Sequence, residues 1–420
     1  MILPAFPGQG LEWGNVYSYQ FSRLQSQPRP AIETHMPLSI QPVRTAAEFD
    51  VFLKFPWKVN RGDPHWVPPL LDSRRERLDP LRNPFWKTVE RELWLAFDGQ
   101  ERLGTLAAFW PKSNPPGGIG DFGFFDSVND PAVSRALLET GADWLRDRGA
   151  GSMRGPYNPS LNDEPGILVE GFGTRPAVMQ AHNPPYYPAL VEAAGFAYQN
   201  DMLARICSIG PEIRTAEQVL PSRLSAVARR AAQRPDLSVR RLDIKRWKEE
   251  ICLACDLYNR ALAQVVDFIP IPQEEFDSLA EGFRPILQPD LALIAMLGSK
   301  PVGYVLALPD INEAFQPLNG RLGPLILLRL WWGSKRLKRV CFKILVILPE
   351  YQGRGVEAVL VSELARSILN HHFQEVDMSL TGDDNPQSSR FQEHLGFKVY
   401  RRYRIYQKEL THEPDRAAPA

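Results

Sequence analysis

The segment of this 420-residue sequence best suited to chemistry is a short glycine-containing loop at residues 352–356. Its members are Gln352, Gly353, Arg354, Gly355 and Val356. The loop joins a β-branched run to an amphipathic run within ILVILPEYQGRGVEAVLVSEL. Glycines let a backbone turn tightly, and a helix that begins there adds unpaired N–H groups and the positive end of its dipole. The pattern predicts a cradle for a diphosphate, with Arg354 adding positive charge at its rim.

Two common phosphate-binding loops do not match this segment. A P-loop would continue with Gly-Lys-Ser or Gly-Lys-Thr, and neither follows. A dinucleotide-binding loop of the Rossmann type would contain a third glycine, which is missing. The loop is therefore interpreted as neither of these sites.

A second polar segment follows a predicted strand in the first half, NPSLNDE at residues 158–164. We predict that Asn158, Asn162, Asp163 and Glu164 bind an amine substrate at the interface between two domains, because loops after strands often carry binding residues. A structural turn is the alternative, since Asn, Pro and Asp favour turns.

A C-x-x-C pair, Cys252 and Cys255, lies in an amphipathic helical pattern. No second pair or nearby histidine completes a zinc site, so we predict no metal site. Both cysteines are interpreted as small apolar residues on one helix face.

Similar elements follow one another twice along the chain. Two apolar runs turn at Asp98-Gly99 in the first half and at Gly298-Ser299 in the second, which is typical of hairpins. Second strands beginning at Gly104 and Gly303, and short helices ending at Gly195-Phe196 and Gly396-Phe397, complete the correspondence. A tandem duplication is our hypothesis. The alternative is that α/β proteins share such turn residues and helix ends by chance. The predicted parts are residues 1–38 (a poorly ordered arm), 39–210, 211–410 and 411–420 (a flexible tail).

The composition restricts the class of protein. Lys plus Arg and Asp plus Glu both number 49, so no bulk charge favours nucleic acid, and we predict no nucleic-acid partner. Four cysteines in a chain of this length favour a reducing compartment. With no signal-peptide pattern in residues 1–30 and no apolar run of membrane-spanning length, a cytoplasmic location is predicted.

The second half resembles the GNAT (GCN5-related N-acetyltransferase) superfamily. Members carry a Q/R-x-x-G-x-G/A loop after the fourth strand, which binds the pyrophosphate of coenzyme A; here the loop ends in Val356 or Glu357 instead of the last small residue. They also carry an Asn after the fifth strand, here Asn385, and a short helix that ends in Gly-Phe, here in HLGFKVY. The resemblance covers residues 291–408. In the first half only the order of elements is similar, because no glycine cradle follows residues 122–126.

Over the whole chain, three segments are similar to bacterial tandem GNAT-like proteins, at residues 55–70, 155–172 and 403–410. The fold class implied by the resemblance is α/β, with two GNAT-like domains that each contain a twisted mixed sheet flanked by helices. The implied co-substrate is acetyl-CoA or a longer acyl-CoA. The first domain is expected to have lost cofactor binding.

The resemblance also implies roles for residues around the loop. The free edge of the fourth strand, at Val346, Ile347 and Leu348, would pair with the pantetheine amides, and strands four and five would part to admit the thioester. Asn385 would hydrogen-bond to the pantetheine arm.

Candidates for the general base are Glu350, Asp383 and Asp384, although Asp384 could instead cap the following helix. The tyrosine that usually protonates the leaving thiolate is replaced by Gln392. Water or Tyr403 would then protonate the leaving thiolate.

We therefore interpret the chain as an acyl-CoA-dependent N-acyltransferase that acts on a small-molecule or lipid-like amine. The main alternative is a non-catalytic GNAT-like protein that binds acyl-CoA or serves as a scaffold, which Gln392 favours. An aminoacyl-tRNA-dependent transferase fits a net-neutral chain poorly. The apolar and then basic run at residues 320–339 suggests a cover for a long acyl chain, a dock for a lipid-like acceptor, packing between the halves, or a peripheral membrane contact.

Overall fold

A single mixed sheet of thirteen strands runs through the part of the chain that the computed structural model describes, residues 38–160, 163–264, 270–321 and 337–410. The strands are β1 (Ser39–Pro42), β2 (Val89–Asp98), β3 (Glu101–Pro111), β4 (Ile119–Ser127), β5 (Ser152–Gly155), β6 (Ile167–Glu170), β7 (Ala197–Ser208), β8 (Leu237–Arg241), β9 (Ala292–Leu297), β10 (Lys300–Pro309), β11 (Arg339–Ile347), β12 (Glu375–Gly382) and β13 (Lys398–Glu409).

Twelve α-helices are present in the same residues. They are α1 (Ala46–Lys54), α2 (Pro56–Val59), α3 (Leu71–Leu78), α4 (Pro131–Arg146), α5 (Tyr187–Ala193), α6 (Ala216–Val219), α7 (Ser222–Ala231), α8 (Trp247–Leu262), α9 (Gln273–Phe283), α10 (Asn312–Phe315), α11 (Val356–Asn370) and α12 (Pro386–His394). Short 3-10 helices lie at Pro84–Lys87, Ile244–Arg246, Pro289–Leu291, Gln316–Leu318 and Pro349–Tyr351. Among the described helices, none combines the length and apolar character needed to cross a membrane.

The predicted hairpins and the main helices are confirmed. β2 and β3 pair across the turn at Asp98-Gly99, and β9 and β10 pair across Gly298-Ser299. The helix predicted to begin at the glycine loop is α11, and α4 begins at Pro131. Asp130 caps α4 by accepting a hydrogen bond from the Ala132 N–H at 2.8 Å, which is the usual beginning of a helix with Pro in its first turn.

Two details of the sequence interpretation are wrong. β3 and β10 begin at Glu101 and Lys300, so Gly104 and Gly303 lie inside these strands, each beside a β-bulge in its hairpin. Of the two cysteines of the C-x-x-C pair in α8, only Cys255 packs in the interior, because Cys252 is exposed. The matching bulges nevertheless place the two halves in correspondence, because a bulge is a specific local feature of strand pairing.

The strand order shows the duplication directly. It is β1-β2-β3-β4-β5-β13-β7-β12-β11-β10-β9-β8, with β6 paired to β13. Each half contains one parallel pair, β4 with β5 and β11 with β12, and every other pair is antiparallel. The chain thus contains two copies of one mixed arrangement, joined edge to edge.

The two halves exchange their last strands at the centre of the sheet. β7, the last strand of the first half, pairs with β12 of the second half from Glu375–Ser208 to Gly382–Met202. β13, the last strand of the second half, pairs with β5 of the first half. The sheet is therefore continuous across the boundary proposed near residue 210, and the limits of the two domains stay a prediction.

Helices cover both faces of the second half. One face packs on α11 through a cluster that includes Val305, Leu360 and Leu364. The opposite face packs on α8 through Leu257, with Tyr304 as its partner in the sheet. Alternate residues of β10 thus point to different helices, as the two-residue period of a strand requires.

Candidate functional site

The glycine loop joins β11 to α11 by a tight turn with two residues in the left-handed region. Gly353 has φ of +69° and Gly355 has φ of +84°. Gly355 is the N-cap of α11, and no side chain caps the first turn of that helix. The first N–H groups of α11 therefore remain available to an anion, which is the property that the predicted cradle needs.

The loop is fixed from behind by α7. A Cβ atom added at Gly355 would lie 2.9 Å from the Cβ of Ala231, closer than two such carbon atoms normally approach. At Gly353 the corresponding position meets nothing within 4 Å and is open. One glycine thus allows two helices to pack closely, and the other faces free space.

The rim of the loop carries positive charge. Arg354 is exposed, and its guanidinium carbon lies 5.7 Å from the centre of the Tyr351 ring. Lys300 donates a hydrogen bond to the Tyr351 hydroxyl at 3.0 Å. The side chain of Gln352 donates to the carbonyl of Ile347 at 3.1 Å, so it ties the loop to the end of β11.

Glu350, a predicted base, lies on the outer side of this rim. Its side chain is half-exposed, and Oε1 lies 3.8 Å from Arg260 and 3.9 Å from Lys300. These contacts place the carboxylate among surface cations. Its role as a base stays a prediction.

β11 and β12 separate in the part of β11 that leads to the glycine loop, and we call the space between them the cleft. The two strands pair from Arg339 with Glu375 to Phe342 with Met378, and their described pairing stops there. Ser379 marks the point of separation, because its hydroxyl donates to the carbonyl of Phe342 at 2.8 Å. The expected parting of these strands is therefore confirmed.

The upper part of β11 contributes its backbone to this cleft. The side chains of Val346, Ile347 and Leu348 are all buried, and β10 occupies the far edge of the strand as far as Ile347. The edge toward the cleft is the one without a described strand partner. Pairing of these three residues with pantetheine stays a prediction that this geometry allows.

The corresponding cleft of the first half is filled by its own chain. β4 and β5 pair only from Ile119–Ser152 to Asp121–Arg154. Beyond that point the N–H of Tyr157 donates to the carbonyl of Phe122 at 2.7 Å. The side-chain oxygen of Asn158 accepts a hydrogen bond from the N–H of Phe124 at 2.6 Å. The edge that would receive a cofactor is thus already hydrogen-bonded.

The other predicted substrate-binding residues are arranged around Arg77 of α3. Glu164 accepts a hydrogen bond from the Arg77 guanidinium at 2.9 Å, and Asp163 lies 3.9 Å from it. Asp163 also accepts from the hydroxyl of Ser160 at 2.6 Å. Asn162 lies outside the described residues. Substrate binding by this segment stays a prediction.

A buried polar cluster lies at the floor of the open cleft, and it joins both halves. We call Gln180, Lys343, Asp377 and Tyr400 the floor cluster. Asp377 of β12 is fully buried, and its carboxylate accepts from the Gln180 amide at 3.2 Å to each oxygen and from the Tyr400 hydroxyl at 2.6 Å. Lys343 is the extra residue of a bulge in β11, and it donates to the carbonyl of Val178 at 2.6 Å.

The surroundings of Asp377 make it a carboxyl that titrates near neutral pH. Burial raises the pKa of Asp377 to about 6, although Lys343 and the Tyr400 hydrogen bond act in the opposite direction. Among the more distant charges, Asp310 raises this pKa and Arg339 lowers it. A group with such a pKa can accept a proton at physiological pH and release it again.

Tyr403 is connected to the same hydrogen-bond network through Gln180. Its side chain is fully buried, and its hydroxyl donates to the Gln180 side-chain oxygen at 3.3 Å. Burial raises its pKa well above the ordinary value of a tyrosine. Between Val178 and Gln180, Met179 has φ of +66°, a left-handed conformation that is uncommon for a residue with a side chain. Proton donation by Tyr403 stays a prediction.

The residues that follow β12 have local partners. Asn385, not Asp384, caps α12, because its side-chain oxygen accepts from the Ser388 N–H at 3.0 Å. Asp384 is exposed. Asp383 accepts from the Tyr198 hydroxyl at 2.5 Å. The catalytic role of Asp384 and the pantetheine contact of Asn385 stay predictions.

Gln392, which replaces the usual tyrosine, is buried and hydrogen-bonded at both ends of its amide. Its oxygen accepts from Arg205 at 3.3 Å, and its nitrogen donates to the Thr381 hydroxyl at 2.7 Å. The side chain therefore connects the exchanged strand β7 to β12 and α12.

Sequence reasoning did not find the floor cluster. A signal existed for two of its members, because Lys343 interrupts VCFKILVIL and Asp377 interrupts EVDMSL. Charged residues are rarely buried in strands without a specific partner or a function. Gln180 and Tyr400 gave no comparable signal, because their neighbours are known only from the folded chain.

An apolar cavity of about 170 Å³ lies on the face of the second half that α8 and α9 cover. Its walls include Ala254 and Leu257 of α8, Phe276 of α9, and Tyr304 and Ile344 of the sheet. Ile344 follows Phe342 by two residues, so the cavity begins beside the point where β11 leaves β12.

Comparisons with known proteins agree with this geometry. The FR47-like protein family matches residues 336–405, which include the cradle, the cleft and Asp377. The bacterial ceramide synthase of Caulobacter vibrioides (strain NA1000 / CB15N) is 30% identical in an alignment of 396 positions that covers 91% of this chain and 100% of that protein. Protein YghO of Escherichia coli (strain K12) is 28% identical in an alignment of 374 positions that covers 86% of this chain and 93% of that protein.

Among solved structures, a tandem GNAT protein from the clavulanic acid biosynthesis pathway has the same fold. Its TM-score is 0.54 at 14% sequence identity, over 90% of this chain and 100% of that chain. The fold supports acyl-CoA-dependent N-acyl transfer, with acetyl-CoA or another acyl-CoA as the general co-substrate of the superfamily. Since the Caulobacter relative is matched over its full length at 30% identity, the chain belongs to the same family of tandem proteins within the GNAT superfamily.

Proposed function

We propose that this protein transfers an acyl group from acyl-coenzyme A to the nitrogen of a lipid-like amine. The observation that carries the proposal is the separation of β11 from β12 beyond Phe342 and Met378, in the part of β11 that leads to the glycine loop. The name of the Caulobacter relative supports a lipid-like acceptor, because a ceramide is a fatty acid joined to a long-chain amine by an amide bond.

The described residues can hold the thioester in one orientation. The N–H groups at the start of α11 and the loop of Gly353 and Gly355 bind the pyrophosphate, with Arg354 beside it. The free edge of β11 pairs with the pantetheine amides, and the thioester then lies near Ser379, where the strands part. Holding both reactants in this way lowers the entropic cost of reaching the transition state.

Asp377 is the base in this mechanism. The acceptor ammonium gives one proton to its carboxylate, and the neutral nitrogen then forms a bond to the thioester carbonyl carbon. The carbon–sulfur bond breaks, and the second proton leaves the nitrogen and passes through water to the departing sulfur. Tyr400 and Gln180 orient the carboxylate by their hydrogen bonds and do not supply the proton.

A non-catalytic acyl-CoA-binding protein is the second candidate function. It is favoured by Gln392, whose amide has no acidic proton and is already bonded to Arg205 and Thr381. The two functions differ in one result. Both require acyl-CoA binding, but only the enzyme forms an amide product.

The cradle can be tested by changing its charge at a position that packing leaves open. Gly353→Glu places a carboxylate where the pyrophosphate would lie, and Gly353→Gln places a neutral side chain of similar shape there. Calorimetry should give acyl-CoA affinity at least tenfold weaker for Gly353→Glu than for Gly353→Gln, because like charges repel at short range. Equal affinities for the two variants would contradict a diphosphate site at this loop.

Activity is measured on the wild-type protein with palmitoyl-CoA and a long-chain primary amine, and product formation is followed by mass spectrometry together with thiol release. An N-acylated product that Gly353→Glu no longer makes supports the enzyme. Tight binding of acyl-CoA without product, across both short and long amines, supports the binding protein. Loss of the carboxylate in Asp377→Asn should remove product while acyl-CoA still binds.

A further inference from the structure

The apolar cavity under α8 and α9 is not explained by the cradle or by the floor cluster. We propose that this cavity holds the hydrocarbon tail of the donor's acyl group, so that the protein selects long acyl chains. This inference rests on the proposed function, since it assumes that the thioester enters the cleft between β11 and β12. It goes further by assigning a site and a chemical class to the transferred group.

The position of the cavity matches the path of an acyl chain. A thioester held along β11 has its carbonyl carbon near the point of separation at Phe342 and Met378. Ile344, two residues further along β11, lies in the cavity wall. Phe283, at the end of α9, also lines the cavity, and it packs beside Cys341, which pairs with Asp377 in the sheet. The cavity and the floor cluster are thus neighbours on one face of the sheet.

On the opposite face, the described residues of the sheet pack against α11. Phe342 and Met378 point into a packed cluster together with Leu360 and Leu364 of α11. Protein interiors of this kind are close-packed, and a chain could enter there only by displacing side chains. The described cavity therefore gives an acyl tail room toward α8 and α9, where it displaces no packed side chain.

The walls of the cavity are suited to hydrocarbon. They are formed almost entirely by aliphatic and aromatic side chains. The charged residue Glu250 lies at the wall, but Arg240 neutralises it by an ion pair of 2.9 Å. An apolar cavity of about 150 Å³ excludes water and accepts an apolar molecule in a well-studied case. The cavity here, at about 170 Å³, is of similar size, so it takes about the first six carbons of the tail, and the rest of a long chain extends past its walls.

The acyl tail is a better occupant than the tail of the acceptor. The acceptor nitrogen must approach the thioester carbon from the side of Asp377, and its own chain then extends away from the carbonyl. The acyl tail begins at that carbonyl carbon, which the proposal places along β11, and Ile344 of the same strand lines the cavity. A cavity that begins beside this strand is therefore continuous with the donor.

A matched pair of variants on α8 tests the site. Ala254 lines the cavity, and Cys252, two residues earlier, is exposed on another face of the same helix. Ala254→Phe adds a ring inside the cavity, whereas Cys252→Phe adds the same ring in solvent. Ala254→Leu fills less of the cavity and takes the place of Ala254→Phe if that variant does not fold.

Two measurements are made on the full chain. The first is the ratio of the dissociation constants for acetyl-CoA and palmitoyl-CoA. Burial of a methylene strengthens binding about fourfold, so a tail that enters the cavity gives a large preference for palmitoyl-CoA. We expect Ala254→Phe to reduce this ratio at least tenfold and Cys252→Phe to leave it unchanged.

The second measurement uses cis-parinaric acid, a fluorescent fatty acid that requires no cradle. Its emission should rise on binding to the wild type and to Cys252→Phe, but not to Ala254→Phe, and palmitoyl-CoA should displace it. Displacement by a long-chain amine and not by palmitoyl-CoA would assign the cavity to the acceptor and overturn the proposal. An absence of binding to the wild type would overturn it as well. Parinaric acid binding without any acyl transfer would refute the proposed enzyme and leave the hydrocarbon site standing.

Discussion

Among single residues, Asp377 is the base that we propose. It is fully buried and accepts hydrogen bonds from Gln180 and Tyr400, and among the cations that lower its pKa Lys343 has the largest effect. The buried carboxyl is costly to ionise, which is why its pKa is raised. Functional sites often contain groups perturbed in this way. The candidate bases Glu350 and Asp384, by contrast, are largely exposed.

The activity should depend on pH through this carboxyl. Asp377 must be ionised to accept a proton, so kcat/KM should rise as the pH increases through about 6 and then level off. Asp377→Asn should remove the rise and lower kcat/KM at least a hundredfold, which is the usual contribution of a general base, about 10²–10⁴-fold. The measurement is a pH profile of kcat/KM for both proteins.

Stability gives a separate check on this interpretation. The folded pKa of about 6 lies above the ordinary aspartate pKa of 3.8, so the group's contribution to stability is present below about pH 4 and is lost as the pH rises through about 6. Activity and this part of the stability therefore change in opposite directions. A rate that rises with pH in parallel with the melting temperature would argue for a structural role of Asp377 instead.

At the scale of elements, the cradle depends on the contact between α7 and the start of α11. Gly355 has a left-handed conformation and also faces Ala231, whereas Gly353 has the same conformation and faces open space. A substitution at Gly353 therefore adds backbone strain alone, whereas a substitution at Gly355 adds strain and a packing clash. The strain alone costs about 1–2 kcal/mol for a residue with a Cβ atom.

We expect Gly355→Ala to lower the free energy of unfolding by about 2–4 kcal/mol, since strain and overpacking add. Gly353→Ala should lower it by only about 1–2 kcal/mol. Denaturant unfolding of both variants measures the difference. Equal losses would mean that α7 moves away freely, and that the two helices do not fix the shape of the loop.

At the scale of the whole molecule, the exchange of strands makes the two halves interdependent. β5 of the first half has β13 as its neighbour, and β12 of the second half has β7. The floor cluster follows the same pattern, because Gln180 belongs to the first half and Asp377 to the second. The first half, whose own cleft is filled, contributes part of the site that remains open.

Removal of β13 should therefore disrupt both halves. A chain ending at residue 397 loses Tyr403 and Tyr406, both fully buried, and leaves an edge of β5 and an edge of β7 without their partner. We expect no cooperative thermal transition and rapid digestion by protease of residues 38–210. A chain ending at residue 410 is the control and should melt like the full protein. A protease-resistant first half in the shorter chain would contradict this interdependence.

The local features of the cradle could be read from the sequence. Glycines at 353 and 355, a β-branched run before them and a helical period after them are all short-range signals, and the observed α11 begins at the residue predicted. The hairpins at Asp98-Gly99 and Gly298-Ser299 were predictable for the same reason, because turn residues act within a few positions. The resemblance of these short segments to the GNAT superfamily then predicted the fold.

The tertiary structure alone decided which distant segments meet. The alternation of β13 predicts a strand, but it contains no information about whether β5 or β12 lies beside it, because all strands offer the same backbone hydrogen bonds. The contact of Gln180 with Asp377 and the cavity between α8, α9 and Ile344 likewise depend on segments far apart in the chain. The sequence therefore determined the loop that can bind a cofactor, whereas the packing of two exchanged halves determined the floor of the site and the room beside it.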